Sequence, residues 1–434
     1  MKRNFCYAPF VHMYLHDEYD KKLCCLSDDY AIDSPDTEKP IPANLHDHWT
    51  SDFYKNVRRK MLNDEYVENC KHCYNQEAAG EFSERDRWAK AWEDTDIEVN
   101  IEHGNQYKTP IDFELRPGNL CNLQCRMCAP HSSSQLDKEY KNNKEILGPI
   151  YDAGGMANDI ISGNIEYVLS NAGHIQQIKL LGGEPTIMPE TIEILRILVE
   201  RNILDINLHI TTNCTNANAT FLELIRKFKN PVYNFSIDGI GKTLEYIRYP
   251  LSFDKISANI QEMCTGIENP QAEFLYTLQA YSLPNLVDFL KWVAKLHMTI
   301  QNNTDMVSGV GLITSDLKGP EWASIQSLPI DKRNEWLDNA LNDNILNCFS
   351  SNHDEVCDSN ARLRAHGARF ELISSNIKEV LVRLRNDPTL YNMEPLIETT
   401  KRFDVVRNQH IKDFIPEIWD VFDQVYYNNF KVYR

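Results

Sequence analysis

Between residues 110 and 315 the chain alternates short apolar runs with longer amphipathic ones, and this rhythm leaves few folds open. Ile111–Leu115, Ile175–Leu181, Ile206–Thr211, Val232–Ile237, Phe274–Gln279 and Met306–Ile313 are of strand length. Between most of them lie stretches such as PETIEILRILVERN, NATFLELIRKFKN and NLVDFLKWVAKL, with apolar residues at helical spacing. Strand, helix, strand in this order predicts parallel pairing through right-handed crossovers. In parallel barrels the active site gathers at the C-terminal ends of the strands. The residues just after each run are therefore the first candidates for chemistry.

After the first run comes Cys121 to Cys128, read CNLQCRMC, with cysteines at spacings of four and three. A structural zinc site wants four closed ligands. A disulfide framework wants an oxidising compartment and an even cysteine count. Three thiolates on one short loop suit a cubane cluster better: they hold three irons and leave the fourth open. After the second run stands Gly182-Gly183-Glu184-Pro185, where two glycines let the backbone approach a neighbour closely.

C-x3-C-x2-C after a first strand, followed by GGEP after the next, resembles the radical S-adenosylmethionine (SAM) enzymes. The resemblance implies an α/β fold, a partial (β/α)6 barrel of the TIM type, over residues 106–318. It implies a 4Fe–4S cluster on Cys121, Cys125 and Cys128, with SAM chelated at the open iron. Reductive cleavage of SAM would yield a 5′-deoxyadenosyl radical that abstracts a hydrogen atom from substrate, chemistry that belongs to the cofactor. The remaining SAM contacts follow in strand order. Met127 stands where relatives carry an aromatic beside the adenine, and is an apolar, polarisable substitute. Gly182, Gly183, Glu184 and Pro185 form the amino-group motif, with Glu184 as the carboxylate for the ammonium. Thr212 and Asn213 occupy the ribose position, where an ordinary turn is an equal alternative. Ser236 in SIDG approaches the ribose or methionine part, and Arg248 offers a planar fork for the SAM carboxylate. Asp238 either serves the site or caps the next helix. Leu283 is the apolar adenine contact, with plain core packing as its rival. No separate catalytic side chain is assigned. Cys214, Cys264, Cys348 and Cys357 show no ligand spacing.

The N-terminal region, residues 1–105, carries Cys6, Cys24, Cys25, Cys70 and Cys73. FCYAPFVHMYLHDEYDKKLCCLSDD predicts two short strands around a polar turn at Asp17 to Lys21, a hairpin that brings Cys6 near Cys24 and Cys25. Phe53, Val57 and Met61 predict a helix leading into Cys70-x2-Cys73, and a linker follows. This layout resembles the auxiliary-cluster modules called SPASM and twitch, here placed before the barrel. It lacks the turn glycine before the second cysteine and the later cysteines of the longer SPASM pattern, so the one-cluster twitch type is implied. Its ligands would be Cys6, Cys24, Cys70 and Cys73 on a second 4Fe–4S cluster, with Cys25 left free. A four-cysteine zinc site is the rival.

Residues 319–434 read as mainly helical and are expected to close the barrel edge or cover its opening; Trp419, Phe422, Tyr426 and Tyr427 form a stripe of core type. The net charge of -18, from 45 Lys+Arg against 63 Asp+Glu, disfavours phosphate-backbone binding, so nucleic acid is not expected as a partner. No run reaches the roughly 20 apolar residues of a membrane span. The N-terminus meets charge too soon for a signal peptide. Twelve cysteines without such a signal point to a reducing cytoplasm. A flavodoxin- or ferredoxin-type electron donor is implied, and a peptide or protein side chain is the favoured substrate. A small molecule or nucleotide substrate stands as the alternative, as does a non-catalytic iron–sulfur or zinc scaffold that has kept the fold.

Overall fold

The computed structural model describes residues 4–15, 22–28, 44–78, 80, 83–92, 109–150, 165–170, 174–265, 267, 271–303, 310–317, 319–346 and 369–422. Among the described residues seven strands pair in sequence order, all parallel: β1 (His12–Leu15), β2 (Asp112–Leu115), β3 (Gln177–Leu180), β4 (Asn207–Thr212), β5 (Pro231–Ser236), β6 (Gln271–Leu278) and β7 (Val310–Asp316). Parallel neighbours force each connection to cross back over the sheet, and helices supply the crossings.

The strands show why they form. Successive side chains point to opposite faces. In β6, Ala272, Phe274, Tyr276 and Leu278 are buried, while Leu275 and Thr277 between them are partly exposed. The buried set packs into one apolar core with Ile178, Leu180, Leu208, Ile210, Tyr233 and Phe235. The helix Pro189–Glu200 meets that core with Thr191, Ile194, Leu195 and Leu198, one stripe of an amphipathic turn. The other sheet face is polar. Glu114 and Lys179 are register partners on β2 and β3, and Asn234 donates to Glu273 across β5 and β6.

The expected hairpin is corrected. The run around His12 is not a hairpin arm; it is β1, which pairs in parallel with β2 at His12↔Asp112. All four of its residues are buried, as a strand covered on both faces requires. Residues 22–28 form turns, and the Asp17 to Lys21 turn lies outside the described residues. The first 105 residues therefore contribute a strand to the central sheet. The helix before Cys70 is present at Asp52–Leu62, capped by Ser51 and burying Phe53, Val57 and Met61. Cys70 ends a short 3-10 turn and Cys73 sits in the helix Lys71–Ala78. Of the expected linker, Glu84–Trp92 is helical and buries Trp88 and Trp92; residues 93–108 lie outside the described residues.

The C-terminal region is helical, with Ile330–Asn342, Arg369–Asn386 and Glu394–Arg407 as its main helices. Arg369–Asn386 packs on β7, and its Arg383 pairs with Asp316 of that strand at 2.8 Å. This helix covers the β7 edge. Trp419 and Phe422 are buried, as expected, while Tyr426, Tyr427, Cys348 and Cys357 lie outside the described residues. No described helix is long and apolar enough to cross a membrane.

Candidate active site

The ends of β2 to β5 converge. After β2 the chain runs through Cys121, Cys125 and Cys128, and these thiols pack together with Leu123 and Met127. Ser133 fixes the loop from below. Its hydroxyl donates to Leu123 O at 2.6 Å and accepts from Leu136 N at 3.2 Å, so one side chain joins the loop to the helix Ser134–Asn142. Gln124 N and Arg126 N donate to Tyr249 O at 2.6 Å and Ile247 O at 2.8 Å, tying the loop to the segment after β5.

The two glycines of GGEP are explained by this loop. Gly182 holds φ +125, a conformation open to glycine and costly for other residues. A Cβ on Gly183 would stand 2.3 Å from Leu120 O, so a side chain there would push the cysteine loop away. Gly183 N and Glu184 N donate to Gly118 O at 3.1 Å and Leu120 O at 2.8 Å. The motif thus forms a backbone ladder with the loop that carries the cysteines.

Glu184 is fully buried. Its Oε1 accepts from Thr186 N at 3.2 Å, Thr186 Oγ1 at 2.6 Å and Thr212 Oγ1 at 2.6 Å, and its Oε2 accepts from Asn213 N at 2.7 Å. Burial raises its carboxyl above the usual range, and these hydrogen bonds pull it back. Each carboxylate oxygen has two lone-pair directions, so Oε2 keeps one more acceptor site. Asn213 also donates to Asn122 Oδ1 at 3.0 Å and lies 4.0 Å from Cys121 Sγ. Thr212 and Asn213 thus connect the carboxylate of GGEP to the first cysteine. Pro185 starts a short 3-10 turn and is buried.

After β5, Asp238 resolves one expectation. It does not cap the next helix, whose N-terminal cap is Ile240 without a side-chain bond. Its Oδ2 accepts from Arg248 Nε at 2.6 Å and its Oδ1 from Thr277 N at 3.0 Å. Among the described residues, the two terminal nitrogens of Arg248 have no hydrogen-bond partner. Burial works against the Arg248 charge, but Asp238 and the nearby Cys125 hold it firmly protonated. Burial raises the Cys125 and Cys128 thiols, and the Arg248 charge nearby works to lower both. Ser236 stands partly exposed at the end of β5. Leu283 is buried in the hydrophobic core at the start of a 3-10 turn.

The N-terminal cysteines gather separately. Cys6, Cys24, Cys70 and Cys73 line one small cavity with Ala8, Pro9, Leu23, Met61 and Trp88, and Glu84 and Arg85 at its side. Burial pushes the Cys70 thiol up to about 12, with the nearby Cys73 adding to it, and Cys6 is raised by burial and then by Cys70. Cys25 is exposed and does not line the cavity.

Both sets suit a cluster. Three of the seven cysteines crowd on one loop beside a cation, and four surround one void. Among the described residues no three His, Cys, Asp or Glu side chains are close enough together to hold a single metal ion. In a cubane each thiolate binds its own iron, so its ligands stand further apart than those of one ion.

Two features of the site escaped sequence reading. Arg126, inside the cysteine motif, is wholly buried and bonded to Asp404, 278 residues away. Thr186 shares Glu184 with Thr212. A charged residue between two cysteines of the motif was a visible signal; its partner was not.

Residues 115–269 match the family model of the radical SAM superfamily. No curated protein matches the chain in sequence. Among solved structures, SuiB of Streptococcus suis bound to S-adenosylmethionine is 13% identical, covering 66% of this chain and 63% of its own, at a TM-score of 0.36. SuiB bound to the precursor peptide SuiA is 16% identical over 66% and 63% at 0.33. The methyltransferase TsrM of Kitasatospora setae, with cobalamin and a [4Fe-4S] cluster, is 14% identical over 48% and 37% at 0.29. The chain therefore spans just under two thirds of the SuiB chain and about a third of TsrM. Residues 115–269, which hold the three-cysteine loop after β2 and the glycine pair packed on that loop, are thus similar to the radical SAM superfamily.

Proposed function

We propose that the protein binds a 4Fe–4S cluster on Cys121, Cys125 and Cys128 and uses it to cleave SAM reductively. One observation carries this reading: the free guanidinium edge of Arg248, the spare acceptor site of Glu184 and the three thiols meet where β2 to β5 end. When bound on these thiols, the cluster would supply the single electron for reductive cleavage of the sulfonium C–S bond, the chemistry that would lead to hydrogen-atom abstraction from substrate. The residues present and orient. Arg248 offers its two terminal nitrogens to the SAM carboxylate, an arrangement that favours bidentate contact. Glu184 Oε2 offers an acceptor to the ammonium group. Met127 gives an apolar surface for the adenine, and Thr212, Asn213 and Ser236 lie at the ribose side. Leu283, buried beside the ends of the strands, is the second apolar contact for the adenine, with core packing as its rival role.

Cys6, Cys24, Cys70 and Cys73 hold a second, auxiliary cluster of the twitch type. Four protein ligands close it, so its work is electron transfer or support of the fold. The electron donor is of the flavodoxin or ferredoxin kind. The substrate is a peptide or protein side chain, a reading supported by the acidic net charge of -18 and by partly exposed Thr211, Ser236 and Thr277 at the inner strand ends.

The test is anaerobic reconstitution, then reduction with SAM present and measurement of 5′-deoxyadenosine and methionine. Formation of both, lost in the Cys121→Ala/Cys125→Ala/Cys128→Ala variant, is the expected result. No cleavage from an iron-loaded protein overturns the enzymatic reading in favour of a scaffold.

A further inference from the structure

The C-terminal helix Glu394–Arg407 holds the cysteine loop directly at one point and, at a second, the helix that follows the loop. Inside the loop, Arg126 is wholly buried, and its Nη2 donates to Asp404 Oδ1 at 2.8 Å and to Gln409 Oε1 at 2.9 Å. Its Nε donates to Tyr246 O at 3.0 Å, and its guanidinium lies 3.6 Å from the Tyr246 ring centre. Asp404 is equally committed: Oδ1 also accepts from Tyr246 OH at 2.7 Å, and Oδ2 from Ile411 N at 2.9 Å. Three residues further along the same helix, Arg407 makes a bidentate pair with Glu139, through Nε at 2.9 Å and Nη2 at 2.7 Å. Glu139 sits on the helix whose cap, Ser133, holds Leu123 O within the loop.

We infer that the Arg126–Asp404 pair is an anchor by which the C-terminal region holds the cysteine loop in its ligand-presenting shape, so that cluster retention depends on residues near the far end of the chain. The physical reason is the position of Arg126. It lies between Cys125 and Cys128, so moving its guanidinium moves both flanking thiols. A buried, charge-assisted bond resists that motion more than a neutral one, and here it adds to the backbone bonds from Gln124 N and Arg126 N that tie the same loop to the segment after β5. Arg126 and Asp404 are positioning residues; neither touches SAM or substrate in this assignment. The inference rests on the reading that this loop carries a cluster, and its test separates the two.

The first measurement uses the apo protein, so no cluster is needed. Iodoacetamide labelling followed by mass spectrometry reads the alkylation rate of each cysteine in wild type, Asp404→Asn, Gln409→Ala, Arg126→Lys and a distant control, Arg383→Gln. The anchor predicts that Cys125 and Cys128 alkylate about fivefold or more faster in Asp404→Asn, and less markedly faster in Gln409→Ala. Arg126→Lys keeps the charge and so recovers part of the protection. Cys6 and Cys70 stay at wild-type rates, and the Arg383→Gln control leaves all of them unchanged. Equal rates in wild type and Asp404→Asn overturn the anchor, as does a uniform rise across every cysteine, which is general loosening. A second arm loads iron and follows its loss to a chelator. Faster selective loss of the loop-bound iron in Asp404→Asn supports the anchor. Equal loss from wild type and Asp404→Asn overturns it. Wild-type protein that takes up no iron on this loop overturns the cluster reading instead, and the labelling result then stands by itself.

Discussion

Arg248 Nε meets Asp238 Oδ2 at 2.6 Å, with the Arg248 side chain almost buried and the Asp238 side chain wholly so. Asp238 is itself fixed by Thr277 N on the neighbouring strand, so the guanidinium is held by one edge and presents the other. A cation held this way pays little ordering entropy when an anion arrives.

Asp238→Asn tests that arrangement. The substitution removes the counter-charge and leaves a nearly buried cation, which costs roughly 3 kcal/mol of stability. SAM affinity falls about tenfold or more, since one charge-assisted contact loses its geometry. Equilibrium dialysis of labelled SAM against cluster-loaded protein measures it. Unchanged affinity with lowered stability would confine Asp238 to a folding role.

Gly183→Ala brings a Cβ to within 2.3 Å of Leu120 O in the cysteine loop. Overpacking of this kind costs about 1–3 kcal/mol, here concentrated in the contact between GGEP and the loop. The expected outcome is a protein of near-native circular dichroism that loads less iron than wild type on Cys121, Cys125 and Cys128. Normal loading would show that the loop yields without losing its ligand geometry.

Thr212→Val deletes a 2.6 Å donor to the buried Glu184 carboxylate while keeping the side-chain shape. A buried acceptor that loses one donor costs about 1–3 kcal/mol. Thermal unfolding reads the cost directly. Thr212→Ser, which restores the hydroxyl, is expected to regain most of the loss, and a valine variant as stable as wild type would remove Thr212 from the Glu184 hub.

Cys24 and Cys25 separate by placement. Cys24 lines the N-terminal cavity and Cys25 is exposed outside it. Cys24→Ser is expected to lose the metal of that site, while Cys25→Ser keeps it in full. Iron, sulfide and zinc content of the two variants decides, and it also identifies the metal. One zinc in place of about four irons would make the site structural.

The legible parts of this protein were those written in local pattern. Branched, apolar runs such as Ile175–Leu181 form strands because their alternate residues can be buried, and β3 follows at Gln177–Leu180. Helix Pro189–Glu200 follows from its own apolar spacing. The three cysteines on one loop needed no tertiary information, because ligands a few residues apart are brought together by the loop itself. Sequence reading failed at β1. Its four residues look like a hairpin arm, and only the buried faces and the parallel partner Asp112–Leu115 reveal its place. Periodicity cannot distinguish the two, since a short apolar run pairs equally well in either direction.

The sequence by itself determined the strand–helix rhythm, the three-thiol loop, the glycine pair and the polar residues after each strand, because each depends on neighbours a few positions away. The tertiary structure decided which of these meet. It joined Asp238 to Arg248 rather than to a helix end, and it buried Leu283 in the core. It gathered Cys6, Cys24, Cys70 and Cys73 about one cavity and fastened Arg126 to Asp404 across nearly three hundred residues. Such contacts are set by packing of whole elements, and no local pattern encodes which side chain a buried charge finds as its partner.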